Sequence, residues 1–142
     1  MKRLKDWRHR LHTAIEERRR QPFDFASGVD CALMAADCVL AMTGEDLAEP
    51  FRGRYSTEVG AMRVIRNEGF ADLADLVAAR LDEIDPVRAC VGDVAFIPDD
   101  SCFGGALGIV IGEQVAVLHI DGIGVVDRTQ MSKAFQIGRA HV

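Results

Sequence analysis

Residues 30–44 read Asp30-Cys31-Ala32-Leu33-Met34-Ala35-Ala36-Asp37-Cys38-Val39-Leu40-Ala41-Met42-Thr43-Gly44. Between the two ends only Asp37 is charged, and the segment is apolar on nearly every side, so it predicts a helix buried in the core rather than lying on the surface. Asp30 suits the N-cap, where a carboxylate accepts from free backbone N–H groups, and Gly44 suits the left-handed position after the last turn. Cys31 then falls in the first turn. There the unsatisfied N–H groups and the positive end of the helix favour an anion and lower a thiol pKa. Free cysteines are also among the most buried residues, so position alone leaves Cys31 open as nucleophile or as small core residue.

With 142 residues, 49% of them hydrophobic and 27% charged, the chain has the composition of one soluble globular domain with a substantial core. Charges interrupt every apolar run, so no segment predicts a membrane span. The basic N-terminus lacks the continuous apolar region of a secretory signal. Cysteines at 31, 38, 90 and 102 contain no C-x-x-C pair, so neither a zinc site nor any other metal or cofactor is expected. Cys90 and Cys102 are the pair that a disulfide could join, in a chain that otherwise reads as folded in a reducing compartment. Residues 1–20 hold eight Lys or Arg against Asp6, Glu16 and Glu17, within a chain of net charge −5. Such an arm meets an acidic partner, its own acidic body, or only solvent, and without an aromatic platform it argues against nucleic-acid binding.

Leu4, Trp7, Leu11 and Ile15 form a stripe that predicts a helix over residues 3–20. This basic amphipathic segment, residues 1–21, precedes the main domain over 22–142. Residues 22–29 read as a loop and residues 45–55 as irregular, with Arg52 and Arg54 tying that loop to nearby acids. Thr57 predicts the cap of a helix over 58–68 that partly buries Val59, Ala61, Val64 and Ile65. A second helix is expected over 71–84. Strands are expected over 93–97, 107–111, 115–120 and 125–127, and Thr129 as the cap of a short helix running to Phe135. Helices first and an antiparallel sheet second make an α+β domain. If Gly112-Glu113 is a two-residue hairpin turn, Ile111 pairs with Gln114, and the same register sets His119 opposite Ala106 on one sheet face. Asp121 shares that face and could hold the imidazole.

Asp30-Cys31-Ala32, Gly92-Asp93-Val94-Ala95-Phe96 and Ala106-Leu107-Gly108-Ile109-Val110-Ile111-Gly112 together resemble the motifs of the NlpC/P60 cysteine peptidases, relatives of papain. The resemblance implies a papain-like fold with the cysteine-bearing helix packed on the sheet. It also implies Cys31 as nucleophile beside Asp30, a base on the first hairpin strand, and His119 at the orienting position on the next. Ala106 stands where the base histidine belongs, and alanine moves no proton. Phe25, the nearest match to the family's aromatic hydroxyl, carries no OH; Phe25 and Asp121 are left as substrate-side candidates. His9 and His12 lie in the basic helix and His141 near the C-terminus, so none of them supplies the base.

Pro22-Phe23, Asp30 to Gly44 and Phe51-Arg52-Gly53-Arg54-Tyr55 resemble more narrowly a small phage and prophage family encoded among tail genes. That resemblance implies a virion-tail protein made in a bacterial host cytoplasm, with tail hub or tip proteins as partners. Two readings follow. Either the chain is a tail-tip structural or assembly protein whose peptidase chemistry is impaired, or His119 serves Cys31 directly in an active hydrolase of peptidoglycan stem peptides or a thiol-dependent acyltransferase. An intracellular small-molecule-binding module is a third class that the sequence leaves open.

Overall fold

A computed structural model describes residues 1–138; His141 and the last residues of the 22–142 segment lie outside the described residues. Four helices come first: α1 (Trp7–Arg18), α2 (Cys31–Thr43), α3 (Glu58–Asn67) and α4 (Leu73–Ala78). Six strands follow: β1 (Asp82–Ile84), β2 (Val94–Pro98), β3 (Gly105–Val110), β4 (Gln114–His119), β5 (Gly122–Asp127) and β6 (Lys133–Gln136). They form one sheet in the order β1-β6-β2-β3-β4-β5, antiparallel at each pairing. The α+β architecture expected from the sequence is the observed one.

The central helix has the expected ends. Asp30 accepts from the Leu33 N–H at 2.9 Å, and Gly44, at φ +83°, returns its N–H to the Leu40 carbonyl. Cys38 and Met42 are fully buried, and α2 is apolar all round because α1 covers one side and the sheet the other. Trp7, Leu11 and Ala14 of α1 join Val39 of α2, Ile109 of β3 and Phe135 of β6 in a single apolar cluster. The basic helix thus completes the core of the domain. Asp37, the one charge in the body of α2, accepts from Arg18 of α1 at 3.1 Å and from Arg52 of the loop after α2 at 2.7 Å.

Residues before Trp7 leave the helix, because Arg3 is drawn inward to a buried ion pair with Asp93 at 2.9 Å while the Leu4 N–H reaches the Met42 carbonyl. On α3, Met62 is buried and Val59 faces solvent, a rotation of the expected stripe by less than one turn.

Two expected helices are corrected. The segment 71–84 is helical only through α4; Leu81 then closes the core and residues 82–84 leave as β1, pairing with β6. The helix expected after Thr129 is a single 3-10 turn over Arg128–Gln130, capped by Asp127, and the chain continues as β6. β6 fills the slot between β1 and β2, where Ala134 and Phe135 are buried on opposite faces of the sheet. All four cysteines are free, with Cys90 and Cys102 exposed, so no Cys90–Cys102 disulfide forms. Among the described residues no helix is long and apolar enough to cross a membrane.

Candidate active site

Gly108 pairs with Val117, Ile109 with Ala116 and Val110 with Val115, and the Ile111 N–H closes the hairpin on the Gln114 carbonyl at 2.9 Å. This is the register read from the two-residue turn. Ala106 and His119 lie two positions beyond the last of these pairs. Gly112 takes φ +134°, a conformation that an L side chain rarely adopts, which suits glycine at this turn.

Helices α2, α3 and α4 and the start of β3 line a half-open cavity of about 320 Å³, with Cys31 and Ala106 in its wall. Its other walls are largely apolar, including Phe23, Phe51, Val64, Leu107 and Leu118. Cys31 meets this space from the first turn of α2. Burial pushes its thiol up to about 12, and the carboxylates of Asp30 and Asp99 act in the same direction, while the adjacent Leu107 N–H opposes them only in part. The sequence-based expectation of a lowered thiol pKa considered the helix end alone; desolvation of the sulfur in an apolar chamber outweighs it.

Asp30 is 2% exposed and accepts two hydrogen bonds, from the Leu33 N–H at 2.9 Å and from Tyr55 Oη at 2.7 Å. Burial and the neighbouring Asp30 carboxylate both raise the phenol of Tyr55, which keeps it a donor. Phe25 sits in a 3-10 turn at the cavity, its ring 4.9 Å from that of Phe23, 6.1 Å from Phe103 and 6.3 Å from Tyr55. Tyr55, downstream of the cysteine, therefore supplies at the cavity an aromatic hydroxyl that Phe25 lacks. The signal was available, since Tyr55 is the only tyrosine in the chain and closes the Phe51–Tyr55 stretch singled out above. Arg52 and Arg54 hold that stretch in place through Asp46, Asp37 and Glu68, as expected, and Arg52 keeps the Asp46 carboxyl below its usual range.

His119 is the last residue of β4 and is exposed. By alternation along the strand it shares a face with Val115 and Val117, which belong to the apolar cluster on the side away from α2. Its imidazole lies over Gly124 of β5, where an added Cβ would run into the ring. Asp121 is exposed in the turn that follows, and neither His119 nor Asp121 lines the cavity. Cys31, Asp30, Tyr55, Phe25 and Ala106 thus all line the cavity, whereas His119, across the hairpin from Ala106, and Asp121 do not. Among the described residues no group of three or more His, Cys, Asp or Glu is placed to hold a metal ion.

A family model described as "Domain of unknown function (DUF6950)" matches residues 2–137. The crystal structure of the NlpC/p60 domain of peptidoglycan hydrolase SagA is similar in fold, with a TM-score of 0.52 and 17% sequence identity over 92% of this chain and 95% of that one. No curated protein matches the sequence. At that identity the likeness establishes an NlpC/P60-like fold. The cysteine-bearing helix packed on an antiparallel sheet is the arrangement the motif resemblance implied.

Proposed function

The chain belongs to the family described as a domain of unknown function (DUF6950), and we propose that this member is a phage or prophage tail protein, near the tail tip, on a peptidase-derived fold that binds rather than hydrolyses. The observation that carries the second half is the state of Cys31. Burial raises its thiol in a cavity that no imidazole lines among the described residues, and Ala106 stands where the motif resemblance puts the base. A thiol without a proton acceptor in reach is a poor nucleophile, and loss of one member of a catalytic unit removes most of its rate. The tail assignment is supported by the narrower sequence resemblance. Its three stretches converge on one place, since Phe23, Cys31, Phe51 and Tyr55 all line the same cavity.

Two measurements test the proposal. Co-purification with tail hub and tip proteins should recover a complex, and a chain that stays alone while the tail tip assembles overturns the tail role. Incubation with peptidoglycan stem peptides should leave them intact. Cleavage that is lost in both Cys31→Ala and His119→Ala would instead establish an active hydrolase with His119 as its base.

A further inference from the structure

We propose that the buried pocket holding Arg3 is a guanidinium-binding site in its own right, and that the N-terminal arm, residues 1–6, fills it as a releasable plug. None of the residues that form it lines the cavity beside Cys31.

The guanidinium nitrogens each meet a different acceptor. Nη1 donates to the Val91 carbonyl at 2.6 Å, Nη2 to Asp93 Oδ1 at 2.9 Å and Nε to the Gly138 carbonyl at 3.0 Å. The central carbon of the group lies 4.3 Å from the centre of the Trp7 ring. Acceptors spread around one plane, beside an aromatic ring, match a guanidinium; a compact ammonium cannot meet them all at once. Gly92, at φ +96°, keeps the space open, since a Cβ there would lie 2.8 Å from Nη1 and 3.1 Å from the Trp7 ring.

These acceptors are held by bonds that do not involve Arg3. Asp93 Oδ2 accepts from the Cys90 N–H at 2.8 Å, and the Asp93 N–H donates to the Cys90 carbonyl at 3.0 Å. The Gly92 N–H reaches the Val110 carbonyl at 2.8 Å, and the Val110 N–H returns to the Asp93 carbonyl at 2.9 Å, which ties the turn to β3. An emptied pocket therefore keeps its shape. It would hold a carboxylate that is 0% exposed with no cation beside it, a costly state that a guanidinium relieves.

No other side chain of the arm enters the core. Of residues 1–6 only Arg3 is buried; Met1 and Leu4 are 42% and 37% exposed, and Lys2, Lys5 and Asp6 face solvent. Helix α1 begins at Trp7 and has its own buried residues in Leu11 and Ala14, so withdrawal of Arg3 frees the arm without removing the helix.

The test uses the full chain carrying Arg3→Ala. Its thermal unfolding is followed in millimolar methylguanidinium chloride, far below denaturing concentrations, with ammonium chloride at the same ionic strength as the control. Methylguanidinium should raise the Tm of the variant saturably, as a ligand of the native state does. Ammonium should not, and the wild type, whose pocket is filled, should show no rise. Absence of a saturable rise in the variant, or an equal rise with ammonium or in the wild type, overturns the proposal. If Arg3→Ala does not fold, hydrogen exchange of the wild type carries the test. The Leu4 amide, bonded to the Met42 carbonyl, should exchange through release of the arm at least about ten-fold faster than the Ile109 amide of β3. Equal rates would mean that the arm leaves only with global unfolding, and would overturn the plug.

Discussion

Tyr55 Oη donates to the buried Asp30 carboxylate at 2.7 Å, joining the loop after α2 to the residue that caps α2. Asp30 thereby serves two donors at once, and the carboxylate next to Cys31 is held by hydrogen bonds from the Leu33 amide and the Tyr55 phenol. The same contact fixes one wall of the cavity, because Tyr55 also packs against Phe25.

Tyr55→Phe keeps the ring and removes the donor. Asp30 then retains the Leu33 N–H alone, and the loss is expected to cost about 1–3 kcal/mol, the range for a buried polar group deprived of a hydrogen-bond partner. Urea unfolding of the two proteins checks it; an unchanged midpoint would mean that water replaces the phenol.

The ion pair between Arg3 and Asp93, 4% and 0% exposed, locks the N-terminal arm to the start of β2. Arg3 also donates to the carbonyls of Val91 and Gly138 and lies 4.3 Å from the Trp7 ring centre. Arg3→Ala leaves the Asp93 carboxylate buried without its cation, a change expected to destabilise by about 3–5 kcal/mol. Thermal or urea unfolding measures this directly.

Cys31 and Cys38 are both raised by burial, to about 12 from an ordinary 9.0. Between those values the unfolded chain releases protons that the native chain keeps. The unfolded state then binds fewer protons, so stability is full below pH 9.0 and falls as pH rises toward about 12. Each thiol contributes a slope approaching about 1.4 kcal/mol per pH unit. Denaturation at a series of alkaline pH values should show the decline, and Cys38→Ala should make it shallower.

The clearest sequence signals were local. Asp30 and Gly44 marked both ends of α2, and the Gly112-Glu113 turn set the β3–β4 register, because caps and tight turns are written in a few adjacent residues. What depended on distant partners was harder to read. Residues 133–136 form a strand because β1 and β2 flank them, and nothing within four residues announces those neighbours. The Leu81–Ile84 portion of the predicted helix left it for the same reason, as β1 pairs with β6. At the site, Cys31 and Ala106 were legible as positions of a motif, while Tyr55 reaches Asp30 across twenty-five residues of chain. The raised thiol could not be read from a helix end, since it comes from a cavity that several elements line together.

The rate of Cys31 alkylation by iodoacetamide as a function of pH, with Cys38, Cys90 and Cys102 replaced by alanine, tests the central claim most directly. A half-buried thiol in apolar surroundings without a base predicts a rate that still climbs at pH 10 with no plateau, and a midpoint that drops when Ala106→His puts an imidazole at the base position implied by the motif. A wild-type plateau with a midpoint well below about 8.5, shifted upward by His119→Ala, would contradict it and identify Cys31 and His119 as a working pair.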